Sequence, residues 1–74
     1  MLGICAFVDG DGTGGTEQHI GTTTTEDECT SLVRTREPSA NGATWWGDCY
    51  AEFGATGNTG RSPYHTCLFT GQLL

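Results

Sequence analysis

Four cysteines, at positions 5, 29, 49 and 67, are the side chains of this sequence best suited to chemistry. A pair of thiols can form a disulfide, four thiolates can hold zinc, and a free thiolate can act as a nucleophile. Structural zinc sites bring ligands in close pairs such as C-x-x-C, whereas the gaps here are 23, 19 and 17 residues. We therefore expect two disulfides, which leave no thiolate for catalysis.

A calcium loop is the next chemistry that the residue types suggest. Asp9 and Asp11 occupy the first and third places of a calcium-loop pattern, and Thr13 and Gly14 occupy the fifth and sixth. The twelfth place is Ile20, where the pattern needs a bidentate glutamate. We expect a flexible glycine turn with solvated carboxylates, with a weak surface calcium site at Asp9 and Asp11 as the alternative.

Catalytic constellations are poorly supported. His19 and His65 could act as bases, but no serine motif on a strained turn accompanies them. Asp48 and Glu52 fall at the turn and on the polar side of a predicted hairpin, where solvated acids are ordinary. The sequence therefore predicts neither an enzyme nor a cofactor.

Composition bounds the class of protein. The chain has 74 residues, nine acids, three arginines and no lysine, with a formal net charge of −6. This charge disfavours binding to nucleic acid or to an anionic membrane surface, and no apolar run is long enough for membrane insertion. A domain this small needs covalent staples, which favours an extracellular or cell-surface location. With no export signal at its start, we expect one module of residues 1–74 that was cut from, or repeats within, a longer protein.

The sequence predicts one helix, which begins after Thr25. Thr25 and Glu28 match a capping box, and three acids in the first turn suit the helix dipole. Cys29, Leu32 and Val33 then share one stripe, and Pro38 predicts an end near residue 36.

Strands are predicted at residues 4–8, 43–46, 49–53 and 64–69, and glycine-rich loops at residues 9–16 and 54–62. We predict an α+β fold in which one helix packs on a short antiparallel sheet of a small disulfide-rich domain. A helix over a sheet would bring Cys29 against Cys49, and adjacent terminal strands would bring Cys5 to Cys67. We favour this nested pairing among the three connectivities that four cysteines allow.

Three segments carry a family resemblance: TEDECTSLVR, PSANGATWWGDCYAEFGATG and YHTCLF, within residues 25–69. They resemble cysteine-rich modules that recur, often in tandem, in extracellular proteins of protists. The layout of a helix cysteine, a strand cysteine and an outer pair also looks like the PAN/apple class of adhesion modules, although a further cysteine pair is lacking. The resemblance implies an adhesive, matrix or fibre-forming role without catalysis, and it implies the same nested disulfides.

Aromatic and hydroxyl side chains are the remaining candidates for contact with a partner. Trp45 and Trp46 are adjacent, so a strand turns them to opposite sides, and one of them needs cover from the helix, a second copy or a sugar ring. Tyr50 adds to this candidate surface. Residues Thr22, Thr23 and Thr24 would suit O-glycosylation, although loop and strand propensity explains them slightly better.

Two functions follow as hypotheses. The first is a structural module of an extracellular fibre, filament or matrix, assembled by contacts between copies, with the apolar Leu73 and Leu74 as a further contact. The alternative is a recognition module that binds a glycan or a protein through Trp45 or Trp46, Tyr50 and the loop at residues 54–62.

Overall fold

A computed structural model describes residues 5–61 and 63–69. It confirms the predicted fold class: one helix packs on an antiparallel sheet, and two disulfides staple the domain. In chain order, the elements are β1 (Val8–Asp9), β2 (Gly12–Thr13), β3 (Thr16–Thr22), α1 (Glu26–Arg36), β4 (Gly42–Trp46), β5 (Asp48–Phe53), β6 (Gly57–Asn58) and β7 (His65–Leu68). Within the described residues, no helix has the length and apolarity needed to cross a membrane.

Two sheets form the β layer. The main sheet has five antiparallel strands in the order β1-β7-β4-β5-β3, and the small sheet pairs β2 with β6. The two edges of the main sheet differ, because β1 has two residues and β3 has seven. Strand β3 contains a register shift between His19 and Gly21, where Gly21 has a φ of 154°.

Helix α1 begins as its capping box predicts. The hydroxyl of Thr25 accepts a hydrogen bond from the Glu28 amide at 3.1 Å. The Glu28 carboxylate reaches back one residue beyond the cap, where it accepts from the amide and the hydroxyl of Thr24 at 2.9 and 2.6 Å. The helix ends at Arg36, before the residue that precedes Pro38.

The core lies between α1 and the main sheet. Its buried side chains are small: Cys29, Val33, Ala40, Ala43, Cys49, Ala51 and Cys67. The structure pairs Cys29 with Cys49 and Cys5 with Cys67, the nested pairing favoured from the sequence. The first bond joins α1 to β5, and the second joins the segment before β1 to β7.

The predictions of loops at residues 9–16 and 54–62 were partly wrong, because both segments contain short strands. Residues 9–16 contain all of β2 and the ends of β1 and β3, and the predicted loop at residues 54–62 contains β6. Positive φ angles at Gly14 and Gly15 allow a bend between β2 and β3, which run in the same direction against β6 and β5. These glycines, whose composition predicts a flexible loop, therefore form a bend between short strands.

The terminal strand predictions were partly wrong. The first strand is Val8–Asp9, and residues 5–7 form no regular element, while the last strand is shortened to His65–Leu68. The predicted contact residues Leu73 and Leu74 lie outside the described residues.

Candidate functional site

The main sheet has a polar face on the side away from α1. Strand alternation and register place Glu17 beside Glu52, and Thr44 between Tyr50 and Thr66. These five residues define the polar face. Three of them are buried: Thr44 is 0%, Glu52 1% and Thr66 1% exposed.

Three carboxylates meet at one end of this face. Asp11, Glu17 and Glu52 each place a carboxylate oxygen within 4.8 Å of the others. Asp11 lies between β1 and β2, Glu17 on β3 and Glu52 on β5, so the cluster joins the small-sheet region to the edge of the main sheet. We call these three residues the carboxylate cluster.

Residues 10–13, which include Asp11 of the cluster, lie against the buried Glu52 carboxylate at Gly12. A Cβ atom added to Gly12 would lie 2.6 Å from the Glu52 carboxyl carbon, so any larger residue would displace the carboxylate or the strand. The Gly10 amide donates to Tyr64 O, and the Thr59 amide donates to Asp11 O. The sequence-based expectation that Glu52 is solvated was therefore wrong, because this segment folds over it.

The carboxylate cluster perturbs the titration of Glu17. The pKa of Glu17 is raised from 4.5 to about 7, first by loss of solvent around its carboxyl and then by the hydrogen bond and the charge of Glu52. Asp11 adds to the shift through its charge and a hydrogen bond. Glu17 is an exposed residue of an edge strand, yet its carboxyl group is turned toward the buried Glu52.

A row of hydroxyls runs from the carboxylate cluster across the sheet. Thr44 Oγ1 lies 2.7 Å from Glu52 Oε2 and donates to it when that carboxyl group is ionised. The same oxygen lies 2.7 Å from Thr66 Oγ1, which donates to Gly10 O at 2.7 Å. These contacts fasten the covering segment to the buried polar face.

The structure separates the two predicted calcium ligands. Asp11 belongs to the carboxylate cluster, whereas Asp9 Oδ1 lies 3.4 Å from His65 Nε2. The loop pattern read from the sequence is not formed, because Asp9 and Thr13 lie on strands. Oxygen donors at this spacing suit a hard cation, and they equally suit a shared proton.

The two adjacent tryptophans have different environments. Trp45 packs against the core and donates from Nε1 to Thr23 O at 3.2 Å. Trp46 is 53% exposed, and its ring lies edge-on to those of Trp45 and His65. His65 Nδ1 lies 3.1 Å from Glu26 Oε2, close enough for an ion pair but without hydrogen-bond geometry. Trp46 is therefore the aromatic side chain of this pair that is open to a partner.

Tyr50 belongs to a second aromatic group, on the polar face. Its ring lies edge-on to those of His19 and Tyr64. The pKa of Tyr50 is raised, first by loss of solvent and then by the charges of Tyr64 and Asp48. His19 Nε2 contacts Asp48 Oδ1 at 3.0 Å. Among the described residues, Tyr50 and Trp46 therefore belong to two separate groups of ring contacts.

The three threonines predicted as glycosylation sites use their hydroxyls within the chain. Thr22 donates to Asp48, Thr23 donates to the carbonyl of Thr25, and Thr24 donates to the Glu28 carboxylate. Their hydroxyls thus contribute to the approach to α1, and glycosylation there stays a prediction.

A shallow groove of about 940 Å³ lies between β3 and α1. Ile20 and Leu32 are its large apolar lining residues, and the lining also includes threonine, serine and acidic side chains and Arg36. Comparisons with protein-family models, curated proteins and solved structures find no match to this chain.

Proposed function

We propose that this chain is a non-catalytic extracellular structural module that associates with further copies of itself along the free edge of β3. The observation that carries the proposal is the difference in length between the two edge strands of the main sheet. Strand β1 forms one edge with two residues, whereas β3 forms the other edge with seven. Among the described residues, β3 pairs with β5 and with no strand on its other side. Unpaired backbone groups on a long edge are a template for another strand.

Pairing of β3 with β3 of a second copy is chemically self-complementary. In an antiparallel pair centred on Gln18, Glu17 of each copy faces His19 of the other, and Thr16 faces Ile20. A carboxylate opposite an imidazole is a favourable cross-strand pair, with opposite charges contributing about 0.2–1 kcal/mol each. The register shift after His19 limits this pairing to residues 16–20.

Further contacts would extend such a dimer into a larger assembly. Val8 and Trp46 are the large apolar side chains that stand exposed in the described part of the chain, at 51% and 53%. Val8 lies on β1, at the edge opposite β3, and Trp46 ends the central strand β4. Two separate surfaces are what growth beyond a closed dimer needs.

A charge exchange at the two-fold position tests this interface. Gln18→Lys places like charges opposite each other, so we expect sedimentation velocity to show association of the wild-type chain and a monomer for Gln18→Lys. Mixing Gln18→Lys with Gln18→Glu should restore association, because opposite charges then meet. Ser39→Lys is the matched control, since it adds the same charge at an exposed position away from β3. A wild-type chain that stays monomeric at high concentration, or equal behaviour of both lysine variants, would contradict the proposal.

Recognition of a glycan or protein partner is the second candidate, favoured by the exposed ring of Trp46. Aromatic faces stack on the apolar faces of sugar rings and anchor protein interfaces. A screen of immobilised glycans with wild type and Trp46→Ala would test it. Binding that is lost in Trp46→Ala supports recognition, and binding unchanged by this substitution counts against it.

A further inference from the structure

The hydroxyl row on the polar face contains more short contacts than its threonines have protons. Three oxygen pairs lie 2.7 Å apart: Glu52 Oε2 with Thr44 Oγ1, Thr44 Oγ1 with Thr66 Oγ1, and Thr66 Oγ1 with Gly10 O. Each threonine hydroxyl carries one proton, and a carbonyl oxygen carries none. Two protons therefore have to serve three contacts when Glu52 is ionised.

The direction of the row fixes where a third proton belongs. Gly10 O can only accept, so Thr66 donates to it. If Thr44 then donates to an ionised Glu52, the contact between Thr44 and Thr66 contains no hydrogen, and two buried oxygens repel each other. A proton on Glu52 lets Glu52 donate to Thr44, Thr44 to Thr66, and Thr66 to Gly10. All three contacts are then hydrogen bonds.

The charges around Glu52 act in the same direction. Asp11 approaches it from the turn between β1 and β2, and Glu17 approaches from β3. Like charges this close in a site shielded from solvent favour retention of a proton. Further titratable groups on this face, among the described residues, include Tyr50, whose ring contacts those of His19 and Tyr64, and Asp48, which contacts His19. The raised pKa of Glu17, at about 7, agrees with a proton held between coupled carboxyls.

We propose that Asp11, Glu17 and Glu52 hold one shared proton at neutral pH, and that the hydroxyl row positions this proton on Glu52. The hydrogen bonds that the proton completes hold residues 10–13 against the polar face, and we call this arrangement the clasp. Glu17 takes part both in the clasp and in the association proposed for β3, whereas Glu52 takes part in the clasp and not in that association. Loss of the proton leaves three facing carboxylates and one hydroxyl contact without hydrogen, so the covering segment loosens. A divalent cation in place of the proton would leave Glu52 ionised and the same contact unsatisfied.

The proposal has a definite pH direction. A carboxyl group whose pKa is raised on folding stabilises the fold fully below its ordinary value and loses that contribution as pH rises through the raised value. For Glu17, whose carboxyl group belongs to the cluster, the pKa is raised from 4.5 to about 7. Stability should therefore fall between roughly pH 5 and pH 8.

Carboxyl ¹³C chemical shifts of the full chain test the shared proton directly. We expect one carboxyl carbon of Glu17 and Glu52 to keep the shift of a protonated acid at about pH 6, well above the titration of glutamate in peptides at about 4.3. If both carbons complete their titration near the peptide value, the proposal is wrong.

A glutamine substitution tests the clasp. Glu52→Gln supplies a permanent N–H donor to Thr44, so the urea midpoint should match that of the wild type at about pH 5 and lose the fall seen by about pH 8. Asp27→Asn is the matched control, since it removes one negative charge from the exposed first turn of α1 and should keep the fall. A Glu52→Gln chain that falls as the wild type does would overturn the proposal.

A second variant and a calcium titration complete the test. If Glu52→Gln does not fold, Glu17→Gln is measured instead, because it removes one of the facing carboxylates and should reduce the fall. Retention of the full wild-type fall in Glu17→Gln would contradict the clasp. Calcium chloride at about pH 8 should leave the wild-type midpoint unchanged. A midpoint raised by sub-millimolar calcium in the wild type but not in Glu52→Gln would assign a cation site and overturn the shared proton.

Discussion

The two faces of the main sheet are buried by different chemistry. On the helix side, the Cys29–Cys49 disulfide and small apolar side chains such as Val33 and Ala51 fill the contact between α1 and the sheet. On the polar face, Glu52 and Thr44 are equally buried but are held by hydrogen bonds under residues 10–13. A disulfide holds the helix side together, whereas the polar face is held by hydrogen bonds whose number depends on protonation.

This difference separates the conditions to which each face responds. Apolar packing and a disulfide are sensitive to reduction and indifferent to pH between about 5 and 8, because no group in them titrates there. A buried carboxyl network is sensitive to pH, because each proton gained or lost changes how many of its hydrogen bonds can form.

The largest expected effect is loss of the Cys29–Cys49 bond. Replacing both cysteines by alanine removes a cross-link with a sequence separation of 20 residues, and chain entropy predicts a cost of about 3 kcal/mol in the free energy of unfolding. Urea unfolding of the double variant at about pH 5 and pH 8 measures it. We expect a similar loss at both pH values, and a loss confined to one of them would contradict the division between the faces.

An intermediate effect is expected from Thr44→Val, which breaks the hydroxyl row while keeping the shape of the side chain. It leaves Glu52 and Thr66 without their buried partner, at a cost of about 1–3 kcal/mol. Thr35→Val on the exposed side of α1 is the control and should change stability by about 0.5 kcal/mol or less. Equal results for the two variants in urea unfolding would show that the row does not stabilise the polar face.

The smallest effect is expected from Glu28→Gln at the start of α1. Hydrogen bonds from the hydroxyl and the amide of Thr24 lower the pKa of Glu28, so its contribution is present above its ordinary value of 4.5 and is lost as pH falls below it. The urea midpoint of Glu28→Gln should lie slightly below that of the wild type at about pH 7 and coincide with it at about pH 3. A difference that persists in acid would contradict a role for the ionised carboxylate. This direction is opposite to that of Glu17.

Local signals explain what the sequence could predict. The capping box at Thr25 and Glu28, the apolar stripe of the helix and the alternation around Cys49 are contained within a few neighbouring residues, and α1, β4 and β5 were accordingly found. The Cys29–Cys49 pairing was favoured by placing that helix over that sheet, and the Cys5–Cys67 pairing by placing the terminal strands side by side. These two placements are assumptions about distant contacts, unlike the predictions of the elements themselves.

Tertiary contacts explain what the sequence could not predict. Strand β3 is polar, and its pairing with β5 rather than its composition makes it a strand. The carboxylate cluster requires the register that sets Glu17 beside Glu52, together with the covering segment at Gly12. Alternation placed Glu52 correctly on the face opposite Cys49, but nothing local signals that this face is covered.

Amide hydrogen exchange on the full chain, resolved by residue at about pH 5 and pH 8 and corrected for the intrinsic rate, tests the division between the faces most directly. The amides of Gly10 and Thr59, which bond to Tyr64 O and Asp11 O, should lose protection at the higher pH, whereas the Cys29 amide in α1 should keep more of it. An equal loss at all three amides, or no loss at any, would contradict the account.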